Sequence, residues 1–208
     1  MSEIVANHQN EQNETVLSKV LEVISGSFVP ILGVLAGSGL LKAILAILTM
    51  TNLMDAESGT YAVLTAAGNA LFYFLPIFLG ITIANKLGAN GFVGGAIGAS
   101  LLEPNFTSLT GAPNFLGFAI QVNDYSASIF PIFIAISVYA MLHHFLKKII
   151  FKEIQMFINP LLSLLIMVPL TVLVFGPLGN WIGSLISSAI SFLITVSSLL
   201  TGALVGGA

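Results

Sequence analysis

The sequence predicts an all-α membrane protein that crosses the bilayer several times. Of its 208 residues, 56% are hydrophobic and only 7% are charged, and the mean hydropathy is +1.01. Soluble domains carry about 25% charged residues, so the composition excludes a water-soluble globular domain. Several apolar runs also approach or exceed the roughly 20 residues that a membrane-spanning helix needs. The surface of this chain therefore meets mostly lipid.

Counts of charged and reactive side chains exclude other classes of protein. Six lysines, no arginine and a net charge of −3 provide too few cations for nucleic-acid binding. The chain has no cysteine, which excludes thiolate chemistry and cysteine-based metal sites. Its three histidines are too few and too badly placed for a metal cage, and no cofactor-binding motif is present. We predict neither a metal nor a cofactor.

Residues 1–27 form a polar N-terminal tail or linker in our interpretation. The first 20 residues, MSEIVANHQNEQNETVLSKV, are rich in Asn, Gln and Glu. A signal peptide begins with a basic region followed by an apolar one, whereas this start is acidic. We expect the tail to remain in the cytoplasm, where the chain was made.

The membrane domain is expected to cover 28–208, with about six segments. The candidate segments are 28–53, 61–84, 91–102, 125–146, 157–175 and 181–205. The third is glycine-rich and only about a dozen residues long, so it predicts a short or re-entrant segment whose backbone is covered by protein.

The positions of the lysines predict the orientation. Lysine collects in cytoplasmic loops of membrane proteins. One lysine precedes the first segment, one follows the second and three follow the fourth: Lys19, Lys86, Lys147, Lys148 and Lys152. The loops on the other side contain acidic residues and no lysine. This alternation predicts that both termini are cytoplasmic.

Small residues at helical spacing indicate helix contacts. Gly33 and Gly37, and likewise Gly94 and Gly98, are four residues apart, a spacing that lets two helix backbones approach closely. In the last segment three hydroxyl side chains share one helical stripe: Ser184, Ser188 and Ser191. That stripe either packs against a neighbouring helix or lines a polar permeation path.

Three polar residues are candidates for a functional site. Lys42 lies inside the first segment, where its charge costs about 2.5–3.5 kcal/mol, so it either faces a partner or a water-filled cavity, or extends toward the interface. Glu103 and Asn105 follow the glycine-rich segment; they either hydrogen-bond a sugar hydroxyl or lie in an interfacial loop. Glu103 would reach Lys42 only if the third segment folds back. His143 and His144 point in different directions, and we expect them at the cytoplasmic interface.

Several strings, quoted in chain order, resemble a known family. They include FVPILGVLAGSGLLKAILAIL, YFLPIFLGITIANKLGANGFVGGAIGASLLEPN and NPLLSLLIMVPLTVLVFGPLG. These are similar to the membrane component, enzyme IIC, of the phosphoenolpyruvate-dependent sugar phosphotransferase system. The likeness runs from about Phe28 to the end and is greatest to the β-glucoside branch of the glucose superfamily, with sucrose and trehalose permeases next.

The resemblance implies a membrane domain of roughly ten helices that moves a sugar inward, and a separate domain with a phospho-cysteine that phosphorylates it. The His-Trp-Gly and Gly-Ile-Thr-Glu segments, which supply the family's sugar-holding His and Glu, are absent from this chain, as is the cysteine. Leu102-Glu103-Pro104 stands where the branch usually has Leu-His-Pro, which places the sugar specificity in question.

The resemblance therefore predicts the scaffold and dimerisation half of a sugar permease in a bacterial cell membrane, inactive alone. Its expected partners are lipid, a second copy, a sugar and an enzyme IIB-type domain. Two alternatives stay open at this point. One is a stand-alone membrane protein that oligomerises with an intact permease. The other is an unrelated ion-coupled transporter that uses Lys42 and Glu103.

Overall fold

A computed structural model describes residues 16–111, 113–126 and 128–196. Its elements, in chain order, are α1 (Val16–Met50), α2 (Gly59–Tyr73), α3 (Leu75–Lys86), α4 (Gly91–Ser100), α5 (Pro104–Thr107), β1 (Asn114–Phe115), β2 (Phe118–Ala119), α6 (Phe130–Ile149), α7 (Gln155–Leu170), a π-helical turn (Thr171–Phe175) and α8 (Gly176–Val196). The strands pair as one antiparallel hairpin. The all-α prediction is confirmed for these residues.

Membrane-length helices account for most of the described chain. Leu21–Met50, Phe130–Ile149 and Gln155–Phe192 are each long and apolar enough to cross a bilayer. The helices α2 and α3 satisfy the same criterion as a pair that is bent by 43°. The bend lies at Phe74, just before Pro76, because proline has no N–H to continue the hydrogen-bond ladder.

The structure differs from the expected segments at two places. The first helix begins at Val16, earlier than the expected Phe28, because the end of the polar region already has apolar residues at helical spacing. The expected fifth and sixth segments form one continuous 38-residue unit. A π-helical turn joins them, in which the Gly176 N–H donates to the Thr171 carbonyl. This turn joins α7 to α8 across the gap between the expected segments 157–175 and 181–205.

The third segment is short, as its composition predicts. Helix α4 has ten residues, which span about 15 Å at 1.5 Å per residue, half of a typical bilayer core. It packs antiparallel on α3 with direct backbone contact, because a Cβ on Gly80 would overlap the Gly94 carbonyl and a Cβ on Gly98 would overlap the Pro76 carbonyl. Protein therefore covers much of the α4 backbone.

The core lies where α6 crosses the α3–α4 hairpin. Fully buried apolar side chains come from all three helices: Leu79, Ile83, Ile97, Ile132 and Ile136. The Tyr139 hydroxyl donates to the Asn90 carbonyl at 3.2 Å, which attaches α6 to the turn between α3 and α4. An ion pair of 2.9 Å between Lys86 and Glu22 attaches the end of α3 to the start of α1.

Candidate functional site

Lys42 lies between α1 and α2. Its ammonium is 5.2 Å from the centroid of the Phe72 ring, within cation–π range. The stem crosses α2 at Gly68, where an added Cβ would be 3.0 Å from Lys42 Cγ. Within the part of the chain that the structure describes, no carboxylate pairs with Lys42, and Glu103 is not brought to it. Lys42 therefore meets an aromatic face in place of an anion.

Glu103 and Asn105 hydrogen-bond each other at the start of α5. The Asn105 backbone N–H donates to Glu103 Oε2 at 2.8 Å, and its side-chain amide donates to Oε1 at 2.7 Å. Pro104 occupies the first turn, where its missing N–H costs nothing. Glu103 Oε2 thus caps a short helix while Oε1 holds the Asn105 side chain, a sufficient local reason for an acid at this position.

A cavity of about 340 Å³ lies beside this cap. Glu103, Asn105 and Ser100 are its polar lining. Its other walls are apolar side chains of α5, of the β-hairpin and the residue after it, of α7 and of the π-helical turn: Phe106, Phe115, Ile120, Val168 and Val172. An apolar cleft with a few polar groups at one side is the usual form of a small-ligand site. The structure therefore places Glu103 and Asn105 together on one cavity.

The two glycine pairs lie in different surroundings. Gly94 meets the Gly80 carbonyl and Gly98 meets the Pro76 carbonyl inside the α3–α4 contact. Gly33 and Gly37 have no described atom within 4 Å of an added Cβ. The face of α1 that carries them is accordingly not covered by the described residues.

The serine stripe lies on an exposed face of α8. Ser184, Ser188 and Ser191 are all exposed, and the Ser184 hydroxyl donates to its own helix at the Trp181 carbonyl, 2.8 Å away. A different face of α8 contacts α6: at Gly179, an added Cβ would lie 2.5 Å from Pro131. The described helices do not enclose the stripe as a channel wall.

A buried polar cluster that none of the sequence motifs indicated lies between α6 and α7. His143 is 7% exposed and Asn159 is 4% exposed; His143 lies near the end of α6 that carries Lys147 and Lys148, and its side chain is covered by protein. Asn159 and His143 line the same cavity, and Asn159 Oδ1 accepts from the Ser163 hydroxyl at 3.2 Å. The Tyr139 hydroxyl lies 3.5 Å from His143 Nδ1. Four-residue spacing of Tyr139 and His143, and of Asn159 and Ser163, was the available signal.

The cluster opens into a cavity of about 390 Å³, which we call the polar pocket. Its polar side chains come from the start of α4, the end of α6 and the start of α7: Asn90, His143, Lys147, Gln155 and Asn159. Gln155 Nε2 donates to the carbonyls of Lys147 at 2.8 Å and Ile150 at 2.7 Å. These bonds connect the end of α6 to the start of α7 and shape one wall of the pocket.

Comparison with known proteins identifies the family. The family model "Phosphotransferase system, EIIC" matches residues 25–208. The chain is 38% identical to a β-glucoside-specific EIIBCA component of Halalkalibacterium halodurans, covering 91% of this chain and 32% of the relative. It is 37% identical to a β-glucoside-specific EIIBCA component of Dickeya chrysanthemi, covering 95% and 33%. A sucrose-specific EIIBC component of Salmonella typhimurium is 30% identical, covering 91% and 43%.

The chain spans about a third of the length of the β-glucoside relatives it matches. No solved structure gives a significant match. The family model covers most of the chain, including the glycine-rich hairpin and the buried polar cluster, and this excludes an unrelated ion-coupled transporter. The chain is a multi-pass membrane protein and belongs to the phosphotransferase system EIIC family.

Proposed function

We propose that this chain is the N-terminal scaffold part of a β-glucoside-type sugar permease, in which import is coupled to phosphorylation by an EIIB-type domain. The observation that carries the proposal is the likeness to three β-glucoside-specific EIIBCA components, 38%, 37% and 35% identical over at least 91% of the chain. Those relatives carry the EIIB part in their names, which supports an EIIB-type partner for this chain.

The contacts of the α3–α4 hairpin support a stationary role for this part. Gly80 and Gly94 bring the two backbones into contact, and close-packed helices of this kind resist small relative movements. Helix α6 then closes over the hairpin with fully buried side chains such as Ile136 and Tyr139. In alternating access one rigid bundle moves against another, and packing this close supports the proposal that this part keeps its shape during the cycle.

The uncovered face of α1 supports assembly with a second copy. Gly33 and Gly37 lie on it with open space around them, beside exposed apolar side chains such as Val29 and Leu40. Small residues on a membrane helix allow a partner helix to approach closely. The dimer would place this face of α1 against the same face of its copy.

The orientation of the chain is also part of the proposal. Lys86 ends α3, and Lys147 and Lys148 lie in the last turn of α6. The polar pocket brings the α3–α4 turn and the end of α6 together, so these lysines lie at one end of the bundle. By the positive-inside tendency, this end faces the cytoplasm of a bacterium, together with the start of α1, which Glu22 joins to Lys86.

Sugar uptake tests the function. The chain is expressed in bacteria that lack a β-glucoside permease, alone or together with the remaining two-thirds of a β-glucoside EIIBCA relative. A radiolabelled β-glucoside should accumulate as its phosphate only in the co-expressing cells. The reason is that this chain lacks the His-Trp-Gly and Gly-Ile-Thr-Glu segments that hold the sugar in the family. The relative's remainder expressed alone is the control. Phosphorylated sugar in cells with this chain alone would overturn the scaffold assignment.

A further inference from the structure

The polar pocket is a costly feature for a membrane protein. His143 lies in α6, a helix long and apolar enough to span the bilayer, and yet its ring is more than nine-tenths buried beside Asn159. Polar groups within membrane helices are expensive to bury and concentrate around ligands and ion pathways. The cluster faces a cavity of about 390 Å³, a volume in the range of small-molecule sites.

The lining of the polar pocket is rich in hydrogen-bond donors and has no carboxylate. Asn90 Oδ1 already accepts from the N–H groups of Phe92 at 2.9 Å and Val93 at 3.4 Å. Within the described ranges, the Asn90 Nδ2 and Lys147 Nζ groups donate no hydrogen bond to the protein. An ammonium and an amide donor are thus left for a ligand.

Two further features favour an anion. Asn90 caps α4, so the positive end of that helix dipole faces the same region. Lys147 follows His143 by one turn of α6 and lines the same cavity, which places the cation close to the buried cluster. The pocket therefore combines a cation, an amide donor and a helix start, and its lining has no negative side chain to compensate them.

We propose that the polar pocket binds a phosphate group, carried either by a soluble phosphate monoester or by an anionic lipid headgroup. Lys147 contributes the charge, and Asn90 Nδ2 donates to a phosphate oxygen. The buried His143–Asn159 pair forms the floor. The binding itself depends only on this lining; which monoester occupies the pocket in the cell rests on the proposed function.

Equilibrium dialysis of the purified chain in neutral detergent tests the soluble ligand. The probe is radiolabelled glucose 6-phosphate, and glucose is its uncharged control. The wild type should bind the phosphate saturably and should not bind glucose. Lys147→Gln should weaken binding about tenfold, because it removes one charge-assisted hydrogen bond. Lys148→Gln, a neighbouring lysine outside the lining, should bind as the wild type does.

Asn90→Asp supplies a second variant that preserves the fold. Aspartate caps a helix as well as asparagine, but it replaces the amide donor with a negative charge, so binding should fall at least as far as in Lys147→Gln. Circular dichroism that matches the wild type shows that α4 is intact. A loss of binding with an unchanged spectrum supports the proposal.

Nanodiscs distinguish the lipid source. The thermal unfolding midpoint is compared in phosphatidylcholine and in phosphatidylcholine with added phosphatidylglycerol. A rise with phosphatidylglycerol that persists in Lys148→Gln and disappears in Lys147→Gln assigns the pocket to a headgroup. Saturable dialysis binding without that rise assigns it to a soluble monoester. If neither probe separates the wild type and Lys148→Gln from Lys147→Gln and Asn90→Asp, the proposal is wrong.

Discussion

Single residues in this chain take partners that their charge alone does not indicate. Lys42 lies against the Phe72 ring, and Glu103 caps its own helix through Asn105. The Lys42 charge is stabilised by a ring on the neighbouring helix. The Glu103 charge is stabilised by a residue two positions further along the chain. Neither requires the long-range Lys42–Glu103 pair that an ion-relay mechanism would need.

The contact between Lys42 and Phe72 should be measurable as a coupling. In a double-mutant cycle with Lys42→Met and Phe72→Leu, we expect a coupling of about 0.5–1 kcal/mol, since each substitution removes one side of the cation–π contact. Unfolding in mixed micelles with increasing sodium dodecyl sulfate provides the free energies. Leu41→Met with Phe72→Leu is the control cycle. Strictly additive effects of Lys42→Met and Phe72→Leu would contradict the contact.

At the scale of elements, glycine determines how closely α3 and α4 approach. Helices whose contact contains side chains pack about 8–10 Å apart, whereas Gly80 and Gly94 allow backbone contact. The four-residue spacing of Gly94 and Gly98 is visible in the sequence. Their partners on α3, Gly80 and Pro76, belong to a pairing that only the folded hairpin creates.

Gly80→Ala should therefore destabilise the hairpin. The added methyl group overlaps the Gly94 carbonyl, and forced overpacking costs about 1–3 kcal/mol. Gly33→Ala is the matched control because its methyl group enters open space, and alanine favours a helix. Denaturant titration of the two variants should show a lower midpoint for Gly80→Ala alone. Equal midpoints would mean that the backbones are not in contact.

The whole molecule is a set of membrane helices around a short hairpin, with apolar side chains facing outward along much of its length. Exposed residues such as Leu40 and Leu165 are normal in lipid, because no hydrophobic penalty applies there. The association of copies through α1 and the orientation across the bilayer are properties of the whole chain and can be tested on it.

Association is predicted to depend on one face of α1. Gly33→Leu combined with Gly37→Leu should reduce dimer formation, because the larger side chains keep two α1 backbones apart. Gly39→Leu is the control: Gly39 is also uncovered but lies about 240° around the helix from Gly33. Energy transfer between labelled copies in liposomes measures dimerisation. A similar loss in Gly39→Leu would show that this face is not specific.

Orientation is testable because the chain contains no cysteine. Single variants Glu57→Cys and Lys152→Cys report opposite loops. A membrane-impermeant maleimide added to intact cells, with an opened outer membrane where one exists, should label Glu57→Cys and should label Lys152→Cys only after lysis, since lysine-rich loops remain in the cytoplasm. Labelling of Lys152→Cys before lysis would contradict the proposed orientation and the cytoplasmic position of the polar pocket.

The class of this protein, an all-α membrane chain of the EIIC family with a short glycine-rich third segment, follows from its amino-acid sequence. These properties depend on composition, on the spacing of apolar residues and on short motifs. Each can be recognised within a segment of about 20 residues without knowledge of the segment's neighbours in the fold. Three features became visible only in the folded chain: α7 and α8 continue through a π-helical turn, His143 is buried in the same cluster as Asn159, and Lys42 contacts the Phe72 ring. Each of these depends on contacts between distant residues or on how a local break is accommodated by its neighbours, and periodicity along one helix carries no information about its partner.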